Sequence, residues 1–193
     1  TNPEIYRASS SYFFAAFIYF LCAGITAQSF FVESIESFNA TLSWCLLICY
    51  LFHLGFIRAK VTIFDEGITI TNPLRETTVG WDQVQEISVK FSMYVTVGGK
   101  KIYAWAAQAP GRYHSRTVHA TEVRGLQIPD TNSMRAGESP RSHSGVAVAL
   151  ARIRLDAFAK NQSVGATYVS EFNGKGLIAL VALSTIATLL TFF

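Results

Sequence analysis

The chain has 193 residues, of which 50% are hydrophobic and 15% are charged, and its formal net charge is +3. Because soluble domains carry charge on about a quarter of their residues, this composition excludes an ordinary soluble domain over the whole chain. The three cysteines, Cys22, Cys45 and Cys49, all lie in apolar stretches, which excludes a disulfide framework or a thiolate zinc site in the polar part.

Three stretches of the chain contain no Asp, Glu, Lys or Arg, namely residues 8–32, 37–57 and 176–193. A helix of about 21 residues is about 31 Å long, which matches the hydrocarbon core of a bilayer. The sequence therefore predicts a transmembrane helical hairpin over residues 1–57, with spans at about 12–32 and 38–57 separated by about five residues. It predicts a third transmembrane helix at 176–193.

The first span allows two further interpretations. A signal peptide cleaved after Ala27 is one alternative, but the apolar run continues to Val32 and a second span follows, so we expect a retained helix. Its many aromatic residues fit contact with lipid. Together with Ala23 and Ala27, four residues apart, they also fit a packing surface for the helices of another membrane protein.

The charges that flank the spans predict the orientation of the chain. The flanking bases are Arg7, Arg58, Lys60 and Lys175, whereas the turn between the first two spans carries Glu33 and Glu36. Because Lys and Arg favour the cytoplasmic side, we expect a multi-pass protein of the cell membrane, with a cytoplasmic central domain and the C-terminus outside. None of these bases or acids lies within a span, so a transporter, channel or pump is not favoured.

Residues 58–160 are predicted to form the cytoplasmic domain and to begin with a series of short strands. Apolar and polar residues alternate over residues 61–81, the period of half-buried antiparallel strands. The predicted turns are Asp65–Gly67, Asn72–Pro73 and Gly98–Gly99. At the first of these, Gly67 is expected to take positive φ.

The second half of this domain is predicted to change its pattern twice. Val84 and Ile87, three residues apart, predict a helical turn in which Asp82 is the cap, with strands following at 88–97 and 100–107. Residues 110–144 are rich in Gly, Ser, Arg and His and are predicted to be a polar insertion. A helix is expected over residues 144–160 with Ser144 as its N-cap, and residues 161–175 then form a linker to the third span.

Three segments resemble the bacterial pleckstrin-homology-like (PH-like) family. They are Asp65-Glu66-Gly67-Ile68, Asn72-Pro73-Leu74-Arg75 and Val79-Gly80-Trp81-Asp82-Gln83-Val84-Gln85-Glu86-Ile87. The resemblance covers residues 58–160 and the N-terminal hairpin, because members are often tethered by two preceding helices. It implies an α+β membrane protein in which a PH-like antiparallel β-sheet or barrel is closed by a C-terminal helix. The long insertion and the third span depart from the family pattern.

No catalytic centre is expected. The sequence has no phosphate-binding loop or nucleophile elbow, and the family resemblance implies a binding or scaffolding module that is not an enzyme. We therefore expect no catalytic, cofactor-binding or metal-binding residues. A metal site in the insertion, made by His114, His119 and His143 with Glu122, is the alternative, although their spacing does not require convergence.

Basic residues near the membrane or in loops are the candidate contacts with anionic lipid or a partner. They are Arg58, Lys60, Lys100, Lys101, Arg112 and Arg116. A base beside an anionic leaflet is attracted by about 1 kcal/mol. The domain lacks the aromatic and basic spacing of a nucleic-acid interface, so nucleic acid is not an expected partner.

Two hypotheses of function follow. In the first, the chain is a non-catalytic accessory or assembly subunit whose partners are other integral membrane protein subunits and phospholipids. Its size and architecture are similar to those of small accessory subunits of bacterial respiratory supercomplexes, in which cytochrome bc and cytochrome oxidase complexes associate. In the second, it is a stand-alone membrane-surface module that recognises anionic lipid or a cytoplasmic protein.

Overall fold

A computed structural model describes residues 3–32, 34–109, 142–161 and 164–192 of the chain. The chain divides into two compact units. The sheet unit comprises Thr1–Ala8, Lys60–Thr71 and Glu76–Glu171, and the helical unit comprises Ser9–Ala59, Asn72–Arg75 and Phe172–Phe193. Most of the predicted insertion, residues 110–141, lies outside the described residues.

The helical unit consists of long apolar helices. They are α1 (Ser9–Val32), α2 (Ile35–Phe52), which continues into a π-helical turn (His53–Arg58), and α4 (Gly174–Phe192). The Ser34 hydroxyl oxygen accepts a hydrogen bond from the Ser37 amide at 3.4 Å and so caps α2. Only residues 33 and 34 separate α1 from α2, which makes the hairpin tighter than the five-residue turn that the sequence predicts.

Side chains join the helices of this unit. The rings of Phe30 and Phe38 lie 5.5 Å apart between α1 and α2. Between α2 and α4, Trp44 Nε1 donates to Thr191 Oγ1 at 2.9 Å, and the Tyr50 hydroxyl donates to the Gly176 carbonyl at 3.3 Å. Hydrogen bonds between apolar helices help to specify their pairing.

Within the described residues, three helical segments are long and apolar enough to cross a membrane. They are Ser10–Val32, Ile35–Arg58 and Gly174–Phe192. Large apolar side chains cover their surfaces, among them Phe13, Phe20 and Ile178. Exposed apolar area of this extent marks the chain as membrane-associated.

The sheet unit contains two antiparallel sheets and a helix in its described part. The first sheet has the strand order β1-β2-β3-β4-β8, with β1 (Glu4–Tyr6), β2 (Lys60–Phe64), β3 (Gly67–Thr71), β4 (Arg75–Gly80) and β8 (Val169–Phe172). The second has the order β5-β6-β7, with β5 (Val84–Val89), β6 (Ser92–Val97) and β7 (Lys100–Gln108). Helix α3 (His143–Asn161) follows β7 along the chain.

One core lies between the two sheets and α3. Alternation along the first sheet buries the apolar residues Val61, Ile63, Ile68, Ile70 and Val79. The second sheet contributes Ile87, Val89, Met93 and Val95, and α3 contributes Ala147, Val148 and Ala151. Trp81 is buried among them and its Nε1 donates to the Phe64 carbonyl at 2.9 Å. The structure thus confirms the expected fold class, a PH-like antiparallel domain with a C-terminal helix and apolar helices on either side along the chain.

The expectations of a helical turn at Val84–Ile87 and of Ser144 as an N-cap were wrong. Residues 84–89 form a strand, and the helical turn is limited to Trp81–Gln83, where Gly80 rather than Asp82 occupies the N-cap position. Helix α3 is capped by Ser142, whose hydroxyl oxygen accepts from the Gly145 amide at 2.9 Å. Two strands were not predicted: β1 precedes the first apolar helix, and β8 lies within residues 161–175.

The ends of three strands share one end of the first sheet. Tyr6, which ends β1, pairs with Val61 at the start of β2. Strand β8 runs antiparallel to β4, because Ser170 lies opposite Thr77 and Asn173 bonds to Leu74. The end of β8 therefore lies at the same end of the sheet as the start of β2. Along the chain, α1 follows β1, the π-helical turn precedes β2, and α4 follows β8.

Candidate interaction surface

The outer face of the second sheet presents aromatic and charged side chains. Alternation along β7 places Ile102 and Ala104 against the core and gives the opposite face to Lys101, Tyr103 and Trp105. Tyr103 and Trp105 are 39% and 49% exposed. Glu86 on β5 and Tyr94 on β6 complete a surface that we call the aromatic face: Glu86, Tyr94, Lys101, Tyr103 and Trp105.

Tyr94 is the centre of the aromatic face. It pairs with Tyr103 across β6 and β7, and the two ring centroids are 5.4 Å apart. Its hydroxyl donates to Glu86 Oε1 at 3.0 Å. Lys101 Nζ lies 4.5 Å from the Tyr94 ring centroid and donates to the Tyr94 hydroxyl at 3.4 Å. These contacts hold Glu86, Lys101 and Tyr103 around a buried Tyr94 ring.

This face has the composition of a protein-binding surface. Tyr and Trp supply large contact areas and lose little conformational entropy when they bind. The centres of protein interfaces are enriched in these residues and depleted in charge. The one acid and one base on the face are already engaged with Tyr94, which leaves the exposed parts of Tyr103 and Trp105 as its most apolar area.

The predicted basic residues are distributed over different elements. Arg58 ends the π-helical turn, and its Nη1 donates to the Asn72 carbonyl at 2.7 Å. Lys60 begins β2 in the first sheet, whereas Lys100 and Lys101 begin β7 in the second. Of these bases, Lys101 is the one that lies on the aromatic face. Arg112 and Arg116 lie outside the described residues.

The alternative metal site is mostly outside the described part of the chain. His114, His119 and Glu122 lie outside it. His143 is the first residue of α3. Among the residues that the structure does describe, no group of three His, Cys, Asp or Glu side chains could hold a metal ion.

Sequence reasoning did not identify the aromatic face. The signal was present in β7, where Tyr103 and Trp105 occupy alternate positions in a strand whose other residues include alanines. The pairing of Tyr103 with Tyr94 and the contact of Tyr94 with Glu86 depend on strand register, which composition does not reveal.

The fold and this face define a PH-like binding module carried by a membrane-associated chain. The sequence model of the bacterial PH domain family matches residues 58–161, just over half of the chain. The chain therefore belongs to the bacterial PH domain family, as the sequence resemblance predicts. PH-like domains are in general binding modules for lipids or proteins and are not catalytic. No curated protein and no solved structure matches the chain.

Proposed function

We propose that this protein is a non-catalytic accessory or assembly subunit of a multi-subunit membrane complex. The observation that carries the proposal is the aromatic face, a fixed surface with exposed Tyr103 and Trp105 on a domain of a binding family. In this proposal the face docks on a cytoplasmic segment of another integral membrane protein, and no step requires a cofactor or a metal.

The exposed aromatic side chains of the apolar helices are an argument for a partner within the membrane. The exposed fractions of Phe13, Phe17 and Phe20 on helix α1 are 69%, 51% and 77%. In a bilayer, these side chains can pack against lipid or against the helices of a partner. The exposed rings on α1 and the aromatic face on the domain fit a subunit that contacts its partner through both its helices and its domain. The particular association with a respiratory supercomplex stays a prediction from size and architecture.

The multi-pass arrangement draws support from the sheet. The end of β1, the start of β2 and the end of β8 lie at one end of the first sheet. In the proposed arrangement, α1 and α4 begin, and the π-helical turn ends, on one side of a membrane. The flanking bases Arg7, Arg58, Lys60 and Lys175 favour the cytoplasm as that side.

Affinity purification of the full chain from detergent-solubilised membranes tests the proposal. We expect an integral membrane protein to co-purify in stoichiometric amount. The double variant Tyr103→Ala/Trp105→Ala is expected to weaken this association by at least tenfold, because interface aromatics of this kind contribute about 2 kcal/mol each when buried. Ile153→Ala, which alters an exposed apolar residue on α3, is the matched control and should retain the partner.

One outcome would contradict the proposal, and a second would contradict the role given to the aromatic face. The chain purifies alone from gently solubilised membranes, or the partner is retained equally by the double variant and the control. The second outcome would remove the aromatic face from the interface and leave the helices as the contact.

A further inference from the structure

The turn at Asn72–Arg75 is clasped by the ends of two apolar helices. The Asn72 amide donates to the Arg75 carbonyl at 2.7 Å and closes the turn. Arg58, at the end of the π-helical turn, donates from Nη1 to the Asn72 carbonyl at 2.7 Å. Asn173, just before α4, donates from its amide to the Leu74 carbonyl at 2.8 Å. All of these residues belong to the helical unit, so the turn is held as a part of that unit.

Three bases belong to this clasp or lie within two residues of it along the chain, and we call them the base cluster: Arg58, Arg75 and Lys175. Arg58 bonds to the turn directly, and Arg75 ends the turn with an exposed side chain. Lys175 is exposed and follows Asn173 by two residues. Within the sequence bounds of the helical unit, these are all of the Lys and Arg residues.

Glu36 of the same unit lies at the other end of α2. It is in the first turn of α2, and Arg58 is 22 positions further along the chain. At 1.5 Å per residue this is about 33 Å along a helix, close to the thickness of a bilayer's hydrocarbon core. In a bilayer the base cluster therefore stands at the level of the lipid headgroups.

We propose that the base cluster binds the phosphate of an anionic phospholipid at this end of the helices. Arginine forms paired hydrogen bonds with phosphate oxygens, and lysine adds a mobile positive charge. Arg58 is pre-positioned by its bond to the turn, so little order has to be gained when the headgroup binds. Lys101 is less suited to this role, because its ammonium group is already engaged with the Tyr94 ring and hydroxyl.

Lipid retention by the purified full chain tests the inference. Phosphatidylglycerol and phosphatidylcholine with equal acyl chains are added in equal amounts to the protein in non-ionic detergent, and bound lipid is counted by native mass spectrometry. We expect phosphatidylglycerol to be retained in preference. The double variant Arg75→Ala/Lys175→Ala should weaken its binding about 25-fold, since each juxtamembrane base contributes about fivefold.

Two matched double variants control for the charge of the base cluster and for the position of the bases in the protein. Arg75→Lys/Lys175→Arg keeps the charges and should keep the lipid, whereas Lys90→Ala/Lys100→Ala removes two exposed bases of the sheet unit and should leave phosphatidylglycerol retention unchanged. Equal retention of both lipids overturns the inference, as does a loss that follows the substitution of Lys90 and Lys100. Displacement of phosphatidylglycerol by inorganic phosphate alone would assign the cluster to a soluble phosphate compound and also overturn it.

The inference rests on the proposed membrane-spanning function, and flotation with phosphatidylcholine liposomes separates the two. A full chain that does not float with the liposomes contradicts the proposed function. A chain that floats but shows no preference for phosphatidylglycerol contradicts the lipid site alone.

Discussion

Close approach of the backbone explains the glycine at the first turn of the sheet unit. The sequence predicts positive φ at Gly67, but among the described residues positive φ occurs at Gly98 and Gly99, with values of 53° and 75°. Gly67 instead lies against β4. A Cβ atom added there would clash with the Val79 carbonyl oxygen and lie 3.2 Å from Ala166 Cβ. The turn therefore needs glycine for space rather than for backbone conformation.

Gly67→Ala is expected to lower the free energy of unfolding by about 1–3 kcal/mol, the range found when atoms are forced into a packed site. The Val79 carbonyl belongs to the β3–β4 pairing and cannot move away without disturbing it. Gly98→Ala is the comparison: space is open there, and only the positive φ opposes a side chain, at about 1 kcal/mol. Thermal unfolding in detergent, followed by tryptophan fluorescence, measures both. A smaller effect at Gly67 than at Gly98 would contradict the steric explanation.

At the scale of elements, the sequence predicts strands where alternation is regular and fails where a bulge interrupts it. Strands β2 and β3 were predicted from the alternation of Val61, Ile63, Ile68 and Ile70. In β5 the register with β6 shifts between Val84 and Glu86, so the inward residues Val84 and Ile87 are three apart. This bulge imitates the spacing of a helical turn, which explains the wrong expectation at 84–87.

The strands β1 and β8 could not be predicted because they are too short to show a period. Strand β1 has three residues and pairs with β2, more than fifty residues away along the chain. Its position is fixed by distant contacts: Glu4 forms an ion pair with Arg154 of α3, which also bonds to Asp65 at 2.7 Å. Those two carboxylates, chiefly Glu4, raise the pKa of the Arg154 guanidinium by hydrogen bonding and charge attraction.

Burial of Tyr6 in β1 predicts a loss of stability in alkali. Desolvation raises the pKa of Tyr6 from 10.0 to about 12. The folded state disfavours the phenolate. The contribution of Tyr6 to the free energy of unfolding is therefore fully present below pH 10 and is lost as the pH rises from 10 towards 12. Tyr6→Phe removes the ionisable group, so its melting temperature should fall less over this range than that of the unaltered chain. Parallel curves for the two proteins would contradict the assignment to Tyr6.

At the scale of the whole molecule, the sequence predicted the membrane association and the family but not the interaction surface. Apolar runs and Trp81-Asp82 with its neighbours are local signals that need no partner strand. The aromatic face requires Tyr94 and Tyr103 to be paired across two strands, and the base cluster requires a turn to be clasped by Arg58 and Asn173. Both depend on tertiary contacts between residues that are distant in the sequence.

The proposed orientation predicts which residues are accessible from outside the cell. In a background without Cys22, Cys45 and Cys49, we expect Ser34→Cys, between α1 and α2, to react with an impermeant maleimide in intact cells. Lys100→Cys, in the central domain, should react only after the membrane is permeabilised. The reverse pattern would overturn the cytoplasmic placement of the domain.

The chain is very short wherever strands give way to apolar helices. Two residues separate β1 from α1, one separates the π-helical turn from β2, and one separates β8 from α4. Each residue extends a chain by at most about 3.6 Å, so none of these joints is a long linker. In the proposed arrangement, encounters are governed by lateral diffusion in the bilayer plane. Such a two-dimensional search favours targets that reside in the same membrane over freely diffusing proteins.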